Sequence, residues 1–232
     1  MLISEIFHSI QGEGELTGVP SVFIRTSGCN LRCRWCDTPY ASWDPEGDDM
    51  SVEQILEEVR KYPVRHVVLT GGEPMIARNI RDLAAGLRKA GCHITIETAG
   101  TVAPAGIECD LASISPKFSN STPLEGSLDA AWIKRHEEAR HRPDLLAEWI
   151  KACPSYQIKL VVATEDDASE ALVTLKLGLP DIPNWRIHLM PEGADPEKIR
   201  SRSAWLIDSC KKSGYRYCDR LHAHLFGNTK GT

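Results

Sequence analysis

Cys29, Cys33 and Cys36 lie in the stretch Gly28-Cys29-Asn30-Leu31-Arg32-Cys33-Arg34-Trp35-Cys36-Asp37-Thr38, spaced C-x3-C-x2-C with no fourth cysteine close behind. Three thiolates can hold three irons of a cubic 4Fe–4S cluster and leave the fourth iron open, whereas electron-transfer clusters are ordinarily closed by four cysteines. An open iron can bind a small molecule and pass an electron directly into it. The competing uses of such a triplet are a zinc knuckle or three incidental thiols. Zinc prefers four ligands, commonly from C-x2–4-C pairs, and no second pair exists here. Cys92, Cys109, Cys153, Cys210 and Cys218 are scattered and read as small buried hydrophobes. A chain of this length has core enough to need no disulfide framework.

Two further stretches carry chemistry-bearing residues. Leu69-Thr70-Gly71-Gly72-Glu73-Pro74 closes an apolar run; its glycines let the backbone approach a ligand closely, and Glu73 can accept from a cationic amine. Phe7-His8-Ser9-Ile10-Gln11-Gly12-Glu13-Gly14 places Gln11 and Glu13 between glycines, which suits a turn whose side chains read a polar heterocycle. His222 and His224 alternate near the C-terminus, so a strand there would turn both to one side.

The elements that must position these residues alternate between β and α. Val19–Thr26, Val64–Thr70, His93–Thr98, Asp110–Ser115, Gln157–Ala163 and Trp185–Met190 read as strands. Ser51–Lys61, Ile76–Ala90, Asp166–Leu177 and Asp195–Ser213 read as helices, with Ser51 and Gln54 spaced as a capping box. Val- and Ile-rich strands separated by helices predict a parallel sheet. About six such units, with the motifs directly after strands, predict an α/β fold: a partial, open βα barrel of TIM type, its cysteine loop following the first strand and its chemistry on the loops at the C-terminal strand ends. Residues 1–232 are expected to form one domain. The segment 118–153, polar early and helix-like later, reads as an insertion or an elaborated crossover.

Composition narrows the partners. The 32 acidic and 27 basic residues leave a net charge of −5, which gives no sign of a nucleic-acid-binding protein. The start of the chain lacks a basic segment followed by an apolar core, so it does not read as a signal peptide. No apolar run approaches the roughly 18–20 residues needed to cross a bilayer. No membrane association and a cytoplasmic location are expected.

The cysteine spacing, with aromatic Trp35 just before the last cysteine, resembles the signature of the radical S-adenosylmethionine (SAM) enzymes. Together with Thr70-Gly71-Gly72-Glu73-Pro74, the Gln11–Glu13 turn, Cys36-Asp37-Thr38 and the C-terminal Arg220-Leu221-His222-Ala223-His224-Leu225-Phe226-Gly227-Asn228, it resembles more narrowly the 7-carboxy-7-deazaguanine synthase family. The resemblance implies that Cys29, Cys33 and Cys36 hold a 4Fe–4S cluster whose open iron is chelated by SAM. It implies SAM contacts from Gly72, Glu73, Glu97, Ser115 and Lys117. It assigns Gln11, Glu13, Arg25, Thr70, Gly72 and His222 to a pterin-derived substrate; the Arg25 guanidinium suits a carboxylate because it can pair in bidentate fashion. Thr38 matches a magnesium-binding threonine, a hydroxyl being a hard oxygen ligand, with Asp37 in support. Plainer readings are a strand salt bridge for Arg25, a solvated charge for Lys117 and a simple Asx-type turn for Asp37-Thr38.

The reaction so implied is conversion of 6-carboxy-5,6,7,8-tetrahydropterin to 7-carboxy-7-deazaguanine with loss of ammonia. The cluster reduces SAM, the resulting radical takes hydrogen from C6, the ring contracts and SAM is restored. No protein side chain is expected to be catalytic in its own right. The resemblance also implies a homodimer, a flavodoxin-like or other reductant, and stimulation by Mg2+. Ala99 and Met190 depart from the family pattern, which often has Asn at the first position and in some members Gln at the second. Other readings of the chain are a different small radical SAM enzyme, such as a glycyl-radical activase, and a non-enzymatic metal-binding module.

Overall fold

Short runs of Val, Ile and Leu carry too few polar residues to face water on both sides. In the computed structural model, which describes residues 1–227 and 229–232, they lie within one nine-stranded sheet. The strands are β1 (Leu2–Ile10), β2 (Pro20–Thr26), β3 (Asp48–Asp49), β4 (His66–Gly71), β5 (His93–Thr98), β6 (Leu111–Ile114), β7 (Ser155–Val162), β8 (Ile187–Pro191) and β9 (Arg216–Tyr217). Their order is β3-β1-β2-β4-β5-β6-β7-β8-β9. All pairs from β2 to β9 are parallel, and β1 runs antiparallel to both β2 and β3. The sheet ends in two edges and does not close, which is the open barrel expected. The cysteine loop follows β2, the first parallel strand but the second in the chain, because β1 precedes it.

The helices are α1 (Pro39–Ser42), α2 (Val52–Arg60), α3 (Ile80–Lys89), α4 (Ala130–Ala139), α5 (Pro143–Ala152), α6 (Glu165–Gly178), α7 (Pro196–Ser213) and α8 (Leu221–Phe226). The capping box at α2 is formed, Gln54 N donating to Ser51 Oγ at 3.2 Å and Ser51 N to Gln54 Oε1 at 2.7 Å. The helix expected from Ile76 starts only at Ile80. Pro74–Ile76 winds into a 3-10 turn, and Asn79 adopts φ 62°, which an α-helix cannot absorb. Segment 118–153 is the β6-to-β7 crossover and contains α4 and α5. Trp149 of α5 is fully buried and its indole N–H donates to Val102 O at 2.8 Å.

Strand alternation divides the sheet into two faces of different chemistry. Val22, Ile24, Leu69, Ile96, Ile158 and Leu189 point to the helices and form one core with Leu83, Trp149 and Leu206. The other, concave face carries a polar row in strict register. Glu5 pairs with Arg25, Arg25 with Thr70, Glu97 with Ser113 and Ser113 with Gln157. One step along, Lys159 stands beside His188 and His188 beside Arg216. A second layer of Phe7, Phe23 and Val68 backs the row, with Phe7 and Phe23 stacked at 5.0 Å.

His188 is buried and its Nε2 has no hydrogen-bond partner among the described residues. Burial, with Arg216, Lys159 and Arg186 nearby, pushes its pKa from 6.5 down to about 4. An unfolded chain therefore takes up this proton first as pH falls, so the stability held by neutral His188 is complete above about pH 6.5 and lost as pH drops toward 4. We expect His188→Gln to flatten the acid side of the stability profile by about 3 kcal/mol across that interval, measured by urea unfolding at a series of pH values. An unchanged slope would contradict this origin.

Candidate active site

A cavity of about 510 Å3 opens on the concave face, within the range of small-molecule sites. Cys29, Cys33 and Cys36 line one part of it; Gln11, Glu13, Arg25, Thr38, Thr70, Gly72, Glu97, Ser115, Lys117 and His222 line the rest. The cysteines, Thr38, Gly72, Ser115 and Lys117 come on loops that follow parallel strands and so rise on one side of the sheet; Arg25, Thr70 and Glu97 project from the strands themselves, Gln11 and Glu13 follow antiparallel β1 from its opposite end, and His222 comes from α8.

Close backbone contacts set the loops relative to one another. Gly72 N donates to Thr26 O at 3.2 Å and Glu73 N to Gly28 O at 2.9 Å. A Cβ on Gly72 would fall 2.1 Å from Gly28 O, so only glycine lets this turn lie against the cysteine loop. Gly12 has the same role toward α8: a Cβ there would fall 2.0 Å from His222 Nδ1. His222 and His224 sit on a helix, not the strand that their alternation suggested. Two residues are about 200° of helical turn, so His222 faces the cavity while His224 Nε2 pairs with Asp219 at 3.0 Å. Burial lowers the His222 pKa and keeps the ring neutral. Asn228, the end of that motif, lies outside the described residues.

Two residues stand differently from expectation. Glu73 is fully buried and does not line the cavity; it accepts from Thr98 Oγ1 at 2.8 and 3.0 Å, from Ala99 N at 2.9 Å and from Met75 N at 3.2 Å. Its carboxyl group ties the loop after β4 to the end of β5 and the turn that follows. Glu97 was grouped with Ser115 and Lys117, yet it stands among the substrate-assigned residues. Thr70 Oγ1 donates to it at 2.9 Å and Gln11 Nε2 at 3.2 Å. Lys117 Nζ donates to Ser115 Oγ at 2.8 Å and to Ser115 O at 2.6 Å, and lies 5.5 Å from the Trp35 ring.

The radical SAM superfamily pattern matches residues 23–164. The chain is 48% identical over 232 residues to the 7-carboxy-7-deazaguanine synthase of Rhodopirellula baltica, covering 100% of this chain and 89% of that protein. It is 39% identical over 242 residues to the synthase of Halobacterium salinarum, covering 99% of this chain and 92% of that one. The chain belongs to the 7-carboxy-7-deazaguanine synthase family of radical SAM enzymes. Its fold is similar to the crystal structure of QueE from Escherichia coli, with a TM-score of 0.68 and 27% identity over 95% of this chain and 94% of that one.

The thiols of this radical SAM enzyme fit the cluster that its superfamily carries. Burial pushes Cys29 and Cys33 up to about 12, so each keeps its proton until a metal displaces it. Cys29, Cys33 and Cys36 line one cavity, none of them in a disulfide, so three thiols are available to a cluster there.

Sequence reading did not single out Lys159 or Arg220. Lys159 is buried on β7 and donates to Glu13 Oε2 at 2.6 Å, with Glu97 Oε1 at 3.6 Å. Arg220 Nε donates to Glu13 Oε1 at 3.1 Å, and its Nη2 bonds Asp37, next to Cys36. Burial alone would raise the Glu13 carboxyl, but Lys159 and Arg220 outweigh it and hold it well below the usual range. The available signal for Lys159 was a lysine inside an apolar strand, in Gln157-Ile158-Lys159-Leu160-Val161-Val162. Lys159→Met would leave Glu13 with Arg220 as its one remaining cation among the described residues and take from Glu97 the lysine it shares with Glu13. We expect a loss of about 3–5 kcal/mol, and a clearly smaller combined loss once Glu13→Gln is added, in a double-mutant cycle of urea unfolding. Additive losses would show that the pair does not couple.

Proposed function

We propose that the protein converts 6-carboxy-5,6,7,8-tetrahydropterin to 7-carboxy-7-deazaguanine with release of ammonia. The observation that carries this reading is the sharing of one cavity between three cysteines in the radical SAM spacing and a polar row suited to a carboxylated heterocycle. When bound, the 4Fe–4S cluster and SAM supply an electron and a carbon-centred radical that takes hydrogen from substrate carbon.

The residues of this chain bind, orient and exclude water. Cys29, Cys33 and Cys36 are assigned to three irons. Gly72, Glu73, Ser115 and Lys117 are assigned to SAM, Lys117 standing over Trp35 beside Cys36. Glu73 also holds two loops together. Arg25 is fixed through Nε to Glu5 Oε1 at 2.6 Å, which leaves its terminal nitrogens to pair with the substrate carboxylate. Glu13 and Glu97 carry carboxylates that suit the N–H groups of an amino-pyrimidine ring, with Gln11, Thr70 and neutral His222 completing the donors and acceptors. Phe7 and Phe23 supply an apolar wall. Thr38, with Asp37 beside it, offers oxygens to a Mg2+ ion that keeps most of its waters. Further parts of this reading are a homodimer of single-domain chains, a flavodoxin-like or other reductant, and a cytoplasmic location without nucleic-acid or membrane partners. No helix of the described residues is long and apolar enough to cross a membrane.

The test is anaerobic reconstitution with iron and sulfide, followed by SAM, a reductant, Mg2+ and the carboxytetrahydropterin. Mass spectrometry should find the deazapurine; SAM cleavage without that product would sink the proposal. Cys33→Ala should abolish SAM cleavage. Thr38→Ala should keep the iron content and lose most of the magnesium stimulation, and an undiminished response to Mg2+ would remove Thr38 from the metal site.

A further inference from the structure

Helix α4, in the β6-to-β7 crossover, is exposed along most of its length and buries a single side chain, His136, completely. A buried polar side chain is held by its hydrogen bonds, so the partners of His136 help to fix where this helix sits. Both partners of His136 bear on the cysteine loop. Its Nδ1 accepts from Arg32 N at 3.1 Å. Its Nε2 lies 3.1 Å from Ser121 Oγ, whose own proton goes to Phe118 O at 2.7 Å. Ser121 therefore accepts from Nε2–H, which fixes the neutral tautomer with an unprotonated Nδ1.

The same stretch holds the rest of the loop's outer side. Arg34 N donates to Ser121 O at 3.0 Å, and the Trp35 indole donates to Asn120 O at 2.8 Å. Asn120 is in turn anchored through Nδ2 to Val161 O of β7 at 2.9 Å. Trp132, one turn before His136 and so on the same helix face, lies 4.1 Å from the Arg32 guanidinium. The two amides that flank Cys33 in the loop, those of Arg32 and Arg34, are thus both satisfied by the crossover and not by water.

We propose that His136 is a positioning residue for the cluster and that residues 118–136 form a clasp fixing the Cys29–Cys36 loop, so that Cys33 is presented to iron in one backbone geometry. The inference rests on the cluster assignment and adds to it a role for the crossover. It predicts that cluster retention depends on an acceptor at the Nδ1 position of residue 136.

The experiment is the rate of iron loss to a chelator from anaerobically reconstituted protein, with the spectrum of the reduced cluster recorded with and without SAM. His136→Ala should release iron about tenfold faster than the unaltered protein, the scale of one buried hydrogen bond, and should broaden the SAM-induced spectral change. His136→Asn, whose Oδ1 stands near the place of Nδ1, should restore both. Equal release from His136→Ala and the unaltered protein would overturn the clasp, as would equal acceleration in the Ala and Asn variants. Should His136→Ala not fold, His136→Gln replaces it, since its longer amide reaches toward Ser121 and leaves Arg32 N unpaired. Faster loss from Gln than from Asn supports the proposal, and equal loss overturns it. An unaltered protein that takes up no iron would remove the cluster assignment together with the clasp.

Discussion

Glu13 and Lys159 meet at 2.6 Å across the concave face of the sheet, both withdrawn from water. Each alone would be costly to bury. The pair is sustained because the charges continue on both sides, through Glu97 on one and Arg220 and Asp37 on the other. The mechanical consequence matters as much as the electrostatic one. The sheet has two edges, with β1 near one and β7 toward the other. The segment from Gln11 to Leu16 leaves β1 and crosses to β7, where Lys159 takes Glu13 and Gln157 Oε1 accepts from Glu15 N at 2.8 Å. A loop pinned by buried charge thus does what additional strands do in a closed barrel, and the cavity gains a wall.

The two faces of the sheet explain which parts of the fold were legible in the sequence. The helix-covered face demands apolar residues at every second position, and β2, β4, β5, β7 and β8 announce themselves by it. β1 does not, because a register shift between Ile3 and Glu5 breaks the period of two. α8 is six residues long, too short to show a helical period, and its alternating histidines imitate a strand. The cysteine triplet and the Gly71-Gly72-Glu73 turn were legible because their chemistry is local and their spacing rigid. Lys159, Arg220 and His136 were not, because each acquires its role from a partner more than 100 residues away.

The cavity is divided by chemistry as well as by position. Around Cys29 and Cys33 burial disfavours a bare thiolate, and the hydroxyls of Thr38 and Ser42 lie near Cys36. Around the polar row the carboxylates of Glu13 and Glu97 are met by Lys159, Arg220, Gln11 and Thr70, a surrounding in which charge is retained. Lys117, which acts on Cys33 and Glu73 alike, stands at the boundary. Such a division suits a reaction that needs electron delivery at one end and fixed hydrogen-bond recognition at the other, because the demands on dielectric differ.

Glu73 shows how far this order is built into the main chain. A glutamate following two glycines after a strand has a side chain that accepts three donors from the protein itself, two of them from Thr98 at the end of β5 and Ala99 just after it. The glycines before it serve the same end, since Gly72 can lie against Gly28 only without a side chain. The loops after β2, β4 and β5 are therefore interlocked through one buried carboxyl group and two backbone hydrogen bonds. Glu73 thereby fixes the position of the Gly71-Gly72 turn against the turn at Ala99, and Lys117 is held close by through Ser115.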